Sequence, residues 1–298
     1  MAPVTRQQDQ KPDAAADEVK ITLYWLEKSR AHRILWLLEE LSIPYELKTF
    51  KRKNMLAPPE FKEIHPLGKA PLITVSSPAT GDKPIVIAES GPIVEYLLEH
   101  FGKSFLPKQW KEGKEGQVGG ETEGWLRYRY FMHYVEGSLM PYMVMALIFR
   151  ILREQSPFFI RPLTAMLTGT VESKYLQPNM ANNLRFLESQ LETSPDGGEY
   201  LCGPDITGAD FLISYPVQAA RERAGLTKEA YPRLWAYVER LEEREGYKKS
   251  VKKIVEVDAL SSPDGIAKVS LHNGGTDFCS SLATFFGGEA ETDWKSIL

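Results

Sequence analysis

The segment His65-Pro66-Leu67-Gly68-Lys69-Ala70-Pro71-Leu72-Ile73 decides the predicted fold. Pro71 follows a Pro-Leu-Gly turn and precedes an apolar run. Because proline has no N–H to give to a sheet, it indicates a bend or the first residue of a strand. A cis Ala70–Pro71 bond would turn the main chain of Ala70 outward, leaving its N–H and C=O free to pair with an extended peptide. This segment therefore predicts a main-chain binding edge beside a strand.

A second segment, Ala88-Glu89-Ser90-Gly91-Pro92, follows further along the chain. Ser90 is typical of a helix N-cap, and Pro92 suits the first turn of a helix. A helix N-terminus can hold a carboxylate, because its free N–H groups point outward. Together the two segments predict a site for a small anionic peptide, with a main-chain edge at Ala70 and an anion site at Glu89 and Ser90.

Hydrophobic periodicity predicts the elements around these segments. Alternation of apolar and polar residues indicates strands at 19–25 and 45–49, and two short segments around a turn-rich connection indicate a hairpin of strands at 72–75 and 85–87. Apolar residues at helical spacing indicate a helix at 34–41 and another at 90–102, with a helical turn at 60–64 between them. The order βαβ then ββα is that of a small α/β domain.

Beyond residue 120 the strand patterns end and only helical patterns follow. Thr207-Gly208-Ala209-Asp210 is similar to a capping box, with Asp in place of Glu or Gln. We therefore predict a disordered arm at 1–18, an α/β domain at 19–102, a glycine-rich linker at 103–120, an all-helical domain at 121–258 and a tail at 259–298.

Composition excludes several classes of function. The chain has 298 residues, of which 43% are hydrophobic and 26% charged, and its net charge is −4, which argues against nucleic-acid binding. Its two cysteines are far apart, so we expect neither a disulfide framework nor a metal site. The polar N-terminus lacks the apolar stretch of a secretory signal, and we expect a cytoplasmic protein.

The longest apolar run, 139–149, is too short for a transmembrane segment, which needs about 20 residues. We interpret this run as a buried helix.

The motifs, taken in order, resemble those of the glutathione S-transferases. The resemblance to the N-terminal half of these enzymes rests on Ser29-Arg30-Ala31, on Trp36-Leu37-Leu38-Glu39-Glu40-Leu41 and on the two segments above. The resemblance to the helical half of the fungal Gtt-type class rests on Tyr134-Val135-Glu136-Gly137-Ser138 and on the 207–210 motif. The resemblance covers residues 20–255 and implies the cytosolic glutathione transferase architecture. That architecture has an α/β thioredoxin-like N-terminal domain plus an all-α C-terminal domain, and is usually a homodimer.

Two hydroxyl groups compete for the catalytic role that this resemblance implies. A hydroxyl that donates to sulfur, near a helix N-terminus, stabilises the glutathione thiolate. Ser29 lies in the loop before the first helix, where the Gtt-type class has a serine, although a serine there also serves as a helix cap. Tyr24, twelve residues before Trp36, matches the spacing in the tyrosine-type transferases, although core packing explains it equally. We favour Ser29 and keep Tyr24 as the alternative.

The resemblance also implies the glutathione contacts. Glu89 and Ser90 are expected to bind the γ-glutamyl end, and Ala70 with Pro71 the cysteinyl backbone. Lys69 is expected near the glycyl carboxylate. Related classes place a basic residue just ahead of the Pro59-Glu60-Phe61 segment; here the nearest cations are Lys51, Arg52 and Lys53, and Lys53 is the candidate.

Aromatic residues of the helical half are candidates for an apolar acceptor pocket, although at helical spacing most would be core: Tyr128, Phe131 and Tyr134. Asp210 is interpreted as a cap within the fold. The leading hypothesis is an enzyme that conjugates glutathione to an electrophilic, apolar small molecule. The alternatives are glutathione-dependent peroxidase activity and a non-catalytic binding or regulatory module with the same fold.

Overall fold

The computed structural model describes residues 19–53 and 56–260. Four strands form one sheet in the order β2-β1-β3-β4, with β1 parallel to β2 and the other pairs antiparallel. The strands are β1 Lys20–Leu26, β2 Glu46–Phe50, β3 Leu72–Ser76 and β4 Ile85–Ala88. This is the predicted thioredoxin-like order. The predicted arm at 1–18 and the tail beyond residue 260 lie outside the described residues.

Three helices cover the sheet: α1 Ala31–Leu41, α2 Glu60–Ile64 and α3 Ser90–Phe101. Successive side chains of β1 point to opposite faces of the sheet. Ile21, Leu23 and Trp25 join the large core that includes α1 and α3. On the other face, Leu26 packs in a small cluster with Phe61 of α2.

The second part of the chain is helical from α4 onward. Its helices are α4 Glu123–Tyr134, α5 Met140–Gln155, α6 Arg161–Val171, α7 Gln177–Glu192, α8 Gly208–Arg223, α9 Pro232–Glu242 and α10 Glu245–Leu260. Single π-helical turns, at 135–139 and 172–176, join α4 to α5 and α6 to α7. All residues of α8 from Gly208 to Ala220 are buried, so α8 is the centre of this domain.

The capping box predicted at the start of α8 is confirmed. The Thr207 side chain accepts from the main chain of Asp210, and the Asp210 carboxylate accepts from the Thr207 N–H at 2.7 Å. Asp210 also accepts from the Tyr237 hydroxyl at 2.6 Å, which ties α8 to α9. Asp210 therefore has a structural role in the helical core.

Helix α1 joins the two domains. Its Glu40 carboxylate receives two hydrogen bonds from Arg244, both 2.9 Å, and Glu39 pairs with Lys253 of α10 at 2.7 Å. His32 of α1 lies 3.2 Å from the Ser250 hydroxyl and is buried. The face of α1 that carries these side chains is thus covered by the helical domain.

The burial of His32 predicts a pH-dependent stability. Burial lowers the pKa of His32 from 6.5 to about 4. The unfolded chain therefore takes up a proton at a higher pH than the folded one, so stability is complete above pH 6.5 and falls as the pH is lowered toward 4. The full difference is about 3 kcal/mol. We expect urea unfolding between pH 7.5 and 4.5 to show a shallower loss of stability for His32→Asn than for the exposed control His133→Gln. Equal slopes would contradict this account of His32.

The apolar run at 139–149 is helical, as predicted, but the prediction that this helix is buried is wrong. Within α5 only Met140 and Met143 are buried, while Val144 and Ile148 are exposed. The continuous helical stretch Glu123–Gln155 is long and apolar enough to cross a membrane by length and composition alone, and 22% of its most apolar window is buried. Its first half nevertheless packs in the core through Tyr128, Phe131 and Met132.

Candidate functional site

Three loops meet at one edge of the sheet. Tyr24, near the end of β1, pairs with Leu72 at the start of β3, and Leu72 pairs with Ala88 at the end of β4. The loop after β1, the segment before β3 and the segment after β4 therefore lie side by side. These are the loops that contain Ser29, Ala70–Pro71 and Glu89–Ser90, so the fold brings the predicted site residues together.

Ser29 lies in the loop between β1 and α1 and is buried. Its Oγ accepts a hydrogen bond from the N–H of Ala31 at 3.2 Å. A serine hydroxyl that accepts one bond still has its hydrogen to donate. The cap position of α1 belongs to Arg30, which makes no side-chain capping bond, so the prediction that Ser29 is the cap residue is wrong. The Ser29 hydroxyl instead satisfies the N–H of Ala31 and can still donate its hydrogen to an anion.

Tyr24 lies on β1, on the face covered by α2. Its half-buried ring stacks on Phe50 with the centroids 6.3 Å apart, and Lys48 Nζ lies 5.6 Å from the ring centre. These contacts account for an aromatic residue at this position by packing. They leave Tyr24 as the alternative to Ser29.

The Ala70–Pro71 peptide bond is cis, as the sequence suggested. Pro71 is buried, and Ala70 packs against the small cluster of Leu26, Phe61 and Leu72. The main chain of Ala70 immediately precedes β3.

The start of α3 differs from the prediction. Ser90 is the first residue of the helix and is buried, and the cap position belongs to Glu89, whose side chain makes no capping bond. Glu89 has φ 72° and ψ 140°, a conformation that is rare for a residue with a side chain. Its carbonyl accepts from the N–H of Ile93 at 3.1 Å, and Pro92 has no N–H. The free donors that α3 presents to this edge are therefore the N–H groups of Ser90 and Gly91.

Two lysines border the edge. Lys69 is exposed, and no carboxylate in the described part of the chain lies within ion-pair distance of it. Lys53 pairs with Glu60 (Nζ–Oε1 3.3 Å), with both side chains exposed. Lys69 is thus available to an anionic ligand, whereas Lys53 would first have to leave Glu60.

Comparison with known proteins places the chain in a family. The family descriptions "Glutathione S-transferase, N-terminal domain" and "Glutathione S-transferase, C-terminal domain" match residues 29–100 and 174–240. Glutathione S-transferase 1 of Saccharomyces cerevisiae is 35% identical over 235 residues, which are 78% of this chain and 94% of that protein. The chain belongs to the glutathione S-transferase family. Glutathione S-transferase 3 of Schizosaccharomyces pombe is 30% identical over 78% of this chain and 88% of that protein.

The fold agrees with this assignment. The structure of the glutathione transferase URE2P8 from Phanerochaete chrysosporium with oxidized glutathione matches with a TM-score of 0.58 and 18% identity, covering 81% of this chain and 97% of that chain. At this identity the match shows the fold alone. The predicted family and architecture are therefore confirmed, and the protein is an enzyme of the glutathione S-transferase family.

The aromatic residues predicted to line an acceptor pocket lie in the core of this glutathione S-transferase. Tyr128, Phe131 and Tyr134 are all buried, and the Tyr134 hydroxyl donates to Asn183 Oδ1 at 2.5 Å. Burial raises the pKa of Tyr128 and of Tyr134, so both phenols are neutral. The structure therefore favours the core-packing interpretation of these three residues.

Glu136 is a residue near the site that sequence reasoning missed. Arg30 donates to its Oε2 at 2.5 Å, and the buried Arg33 donates to its Oε1. Burial lowers the pKa of Arg33, and the charge and hydrogen bond of the Glu136 carboxylate partly raise that pKa again. Glu136 thus connects the helical domain to the residues that follow Ser29. It lies in one of the motifs of the resemblance, but nothing in the sequence indicated which side chains it contacts.

Other chemical groups lie apart from the edge. A cavity of about 440 Å³ is lined by Ser104, Thr122 and Cys202, among others, and by none of the predicted site residues. Burial raises the pKa of the Cys202 thiol, so it is not a reactive thiolate. Within residues 19–53 and 56–260 no group of three or more metal-ligating side chains is arranged to hold a metal ion.

Proposed function

We propose that this enzyme conjugates glutathione to an electrophilic, apolar small molecule, and that Ser29 stabilises the glutathione thiolate. The observation that carries the proposal is the register of β1, β3 and β4. It brings the N-termini of α1 and α3 to the same edge of the sheet, beside the main chain of Ala70. Such an edge offers two positive helix ends and a main-chain pairing site to one short anionic peptide. The chain's similarity to two yeast glutathione S-transferases supports the same reading and, with it, membership of the Gtt-type class.

The orientation of glutathione follows from the groups at the edge. Its γ-glutamyl carboxylate accepts from the free N–H groups of Ser90 and Gly91, and the exposed Glu89 carboxylate faces its ammonium group. Its cysteinyl main chain pairs with Ala70 beside Pro71. The glycyl carboxylate then lies toward Lys69, with Lys53 as a second contact once it leaves Glu60.

This orientation brings the thiol to the N-terminus of α1. The positive end of the helix and a hydrogen bond from the Ser29 hydroxyl favour ionisation of the thiol, whose proton passes to water, and they stabilise the resulting thiolate. The thiolate sulfur then attacks the electrophilic carbon and forms a C–S bond, while the bonding electron pair leaves with the displaced group. Ser29 acts only by stabilising the sulfur anion.

A transferase assay tests the proposal. The purified chain, given glutathione and a chloronitrobenzene acceptor, should form the aryl conjugate and release chloride. Glutathione binding without turnover of this acceptor or of other electrophiles would contradict transfer and favour the binding module. Turnover of a hydroperoxide alone would favour the peroxidase.

Glu89→Gln should weaken glutathione binding with little loss of stability. The Glu89 side chain is exposed and makes no capping bond, whereas a hydrogen bond to a charged ligand contributes about 1.5–3 kcal/mol to binding. That range corresponds to about 10- to 150-fold in the dissociation constant. Glu99→Gln, an exposed carboxylate at the far end of α3, is the matched control. Calorimetry and thermal melts separate the two effects, and an unchanged affinity in Glu89→Gln would place the γ-glutamyl site elsewhere.

We also propose a cytoplasmic homodimer. The family architecture supports an arrangement in which the first domain of one subunit packs on the helical domain of the other. Light scattering should give twice the chain mass at micromolar concentration. A monomer mass that does not change with concentration would exclude it.

A further inference from the structure

An exposed apolar surface covers one side of the hairpin formed by α5 and α6. We define this hairpin face by Val144, Ile148 and Leu152 of α5 and by Leu163 and Leu167 of α6. Each of these side chains is between 40% and 57% exposed. Along the whole of α6, Thr168 is the one buried residue. Such contiguous apolar exposure marks a contact surface rather than ordinary solvent-facing side chains.

Hydrogen bonds between the helices show that the five residues share a side. Arg153 donates to Thr168 (Nη1–Oγ1 3.3 Å), and Ser156, just after α5, hydrogen-bonds Thr164 at 3.0 Å, so the helices are antiparallel. Leu152 directly precedes Arg153, and Leu167 directly precedes Thr168. One residue back along an α-helix is a rotation of about 100° away from the contact direction. Because the two helices are antiparallel, these rotations point both leucines to the same side of the helix pair. Ile148, Val144 and Leu163 then extend the face at one-turn intervals.

The tip of the hairpin is more exposed still. Phe158 and Phe159, in the loop between α5 and α6, are 82% and 71% exposed. They pack on each other with ring centroids 5.5 Å apart. Two adjacent phenylalanines at the end of a projecting hairpin can enter a bilayer interface without any rearrangement of the fold.

Charge at the hairpin differs from that of the whole chain. Residues 140–176 contain four cations, Arg150, Arg153, Arg161 and Lys174, against two carboxylates, Glu154 and Glu172, a balance of +2 in a chain of −4. Arg161 follows the tip and donates to the main-chain carbonyls of Ser156 and Glu154, so its charge is not neutralised by a carboxylate there. Cations beside an apolar surface complement anionic lipid headgroups.

We propose that the hairpin face and its tip form a docking surface for an anionic phospholipid bilayer. Phe158 and Phe159 enter the headgroup boundary, the five aliphatic residues lie on it, and Arg161 contacts phosphate or carboxylate headgroups. The contact is peripheral, because the first half of the helical stretch Glu123–Gln155 packs in the protein core and cannot enter lipid. This inference stands apart from the proposed catalytic role of Ser29.

Vesicle binding by the full chain tests the proposal. We expect co-sedimentation with phosphatidylcholine vesicles containing about 30% phosphatidylserine, and weaker binding to phosphatidylcholine alone. The double variant Phe158→Ser/Phe159→Ser should lose at least about tenfold in binding to both. Arg161→Gln should lose binding mainly to the anionic vesicles. Val118→Ser, at a fully exposed valine outside the hairpin, is the matched control and should bind as the parent does.

Two other measurements keep the result unambiguous. Unchanged glutathione affinity and melting temperature in the double variant show that its fold is intact. The proposal is overturned if the parent binds neither vesicle, or if the double variant binds as well as the parent. It is also overturned if the parent binds no vesicles and sediments as a dimer while the double variant sediments as a monomer. The face would then join two copies of the chain.

Discussion

Ser29→Ala should lose about 10²-fold in turnover while its affinity for glutathione stays close to that of the parent. Loss of one oriented hydrogen-bond donor to a developing or stabilised anion has this magnitude. The Ser29 Oγ accepts from Ala31, which leaves its hydrogen free for the sulfur. Because the bond is made to the thiolate, the change should act on the rate more than on binding. Steady-state kinetics and calorimetry with glutathione give the two quantities separately.

Matched variants at both candidate hydroxyls decide the assignment. Ser29→Thr keeps a hydroxyl and should retain most of the turnover. Tyr24→Phe removes only the rival hydroxyl, keeps the ring that stacks on Phe50, and should have little effect. Ser29→Ala also leaves the N–H of Ala31 without its acceptor, which should cost about 1 kcal/mol of stability, and thermal melts will show this loss. If Tyr24→Phe loses the turnover and Ser29→Ala keeps it, the catalytic role belongs to Tyr24.

Asp210→Ala should be the most destabilising of the substitutions considered for this protein. The carboxylate is fully buried and accepts from the Thr207 N–H, the Thr207 hydroxyl and the Tyr237 hydroxyl, at 2.7, 2.9 and 2.6 Å. Its removal leaves these donors without an acceptor inside the helical core. With about 1–3 kcal/mol for each unsatisfied buried group, we expect a loss on the order of 4 kcal/mol in the free energy of unfolding. Urea unfolding measures it.

Two controls separate the capping role of Asp210 from a general effect of removing a carboxylate. Asp205→Ala, at an exposed aspartate five residues earlier, should change the free energy of unfolding by no more than about 0.5 kcal/mol. Asp210→Asn keeps one acceptor but turns an amide donor toward another donor, so it should lie between the parent and Asp210→Ala. Equal stability of Asp210→Ala and Asp205→Ala would show that the network around Asp210 contributes nothing to folding.

The sequence predicted the strand-containing half well, because its signals are local. Ile21, Leu23 and Trp25 alternate with more polar residues, and this alternation alone predicted the strand that the structure has at Lys20–Leu26. The cap of α3 was predicted at Ser90, one residue after its position in the structure, because a serine suits a cap while the actual turn is made by the main chain of Glu89 at a positive φ. A backbone angle of that kind leaves no mark in the side-chain pattern.

Burial was predicted less well than secondary structure. The run at 139–149 is as apolar as a core helix, yet Val144 and Ile148 face outward, because no other described element covers that side of α5. At the site, the motifs gave Ser29, Ala70, Glu89 and Ser90, and the sheet register brings their loops together. The contacts of Glu136 with Arg30 and Arg33 join residues more than one hundred positions apart, so they could not be inferred without the fold.

The ionisation of glutathione bound to the parent enzyme is the most direct test of thiolate stabilisation at the N-terminus of α1. Thiolate absorbance, titrated against pH with saturating glutathione, gives the pKa of the bound thiol. We expect a pKa about one unit or more below that of the free thiol, which is about 8.5, because the N-terminus of α1 and the Ser29 hydroxyl both favour the anion. Bound glutathione that ionises at the same pH as free glutathione would contradict this stabilisation.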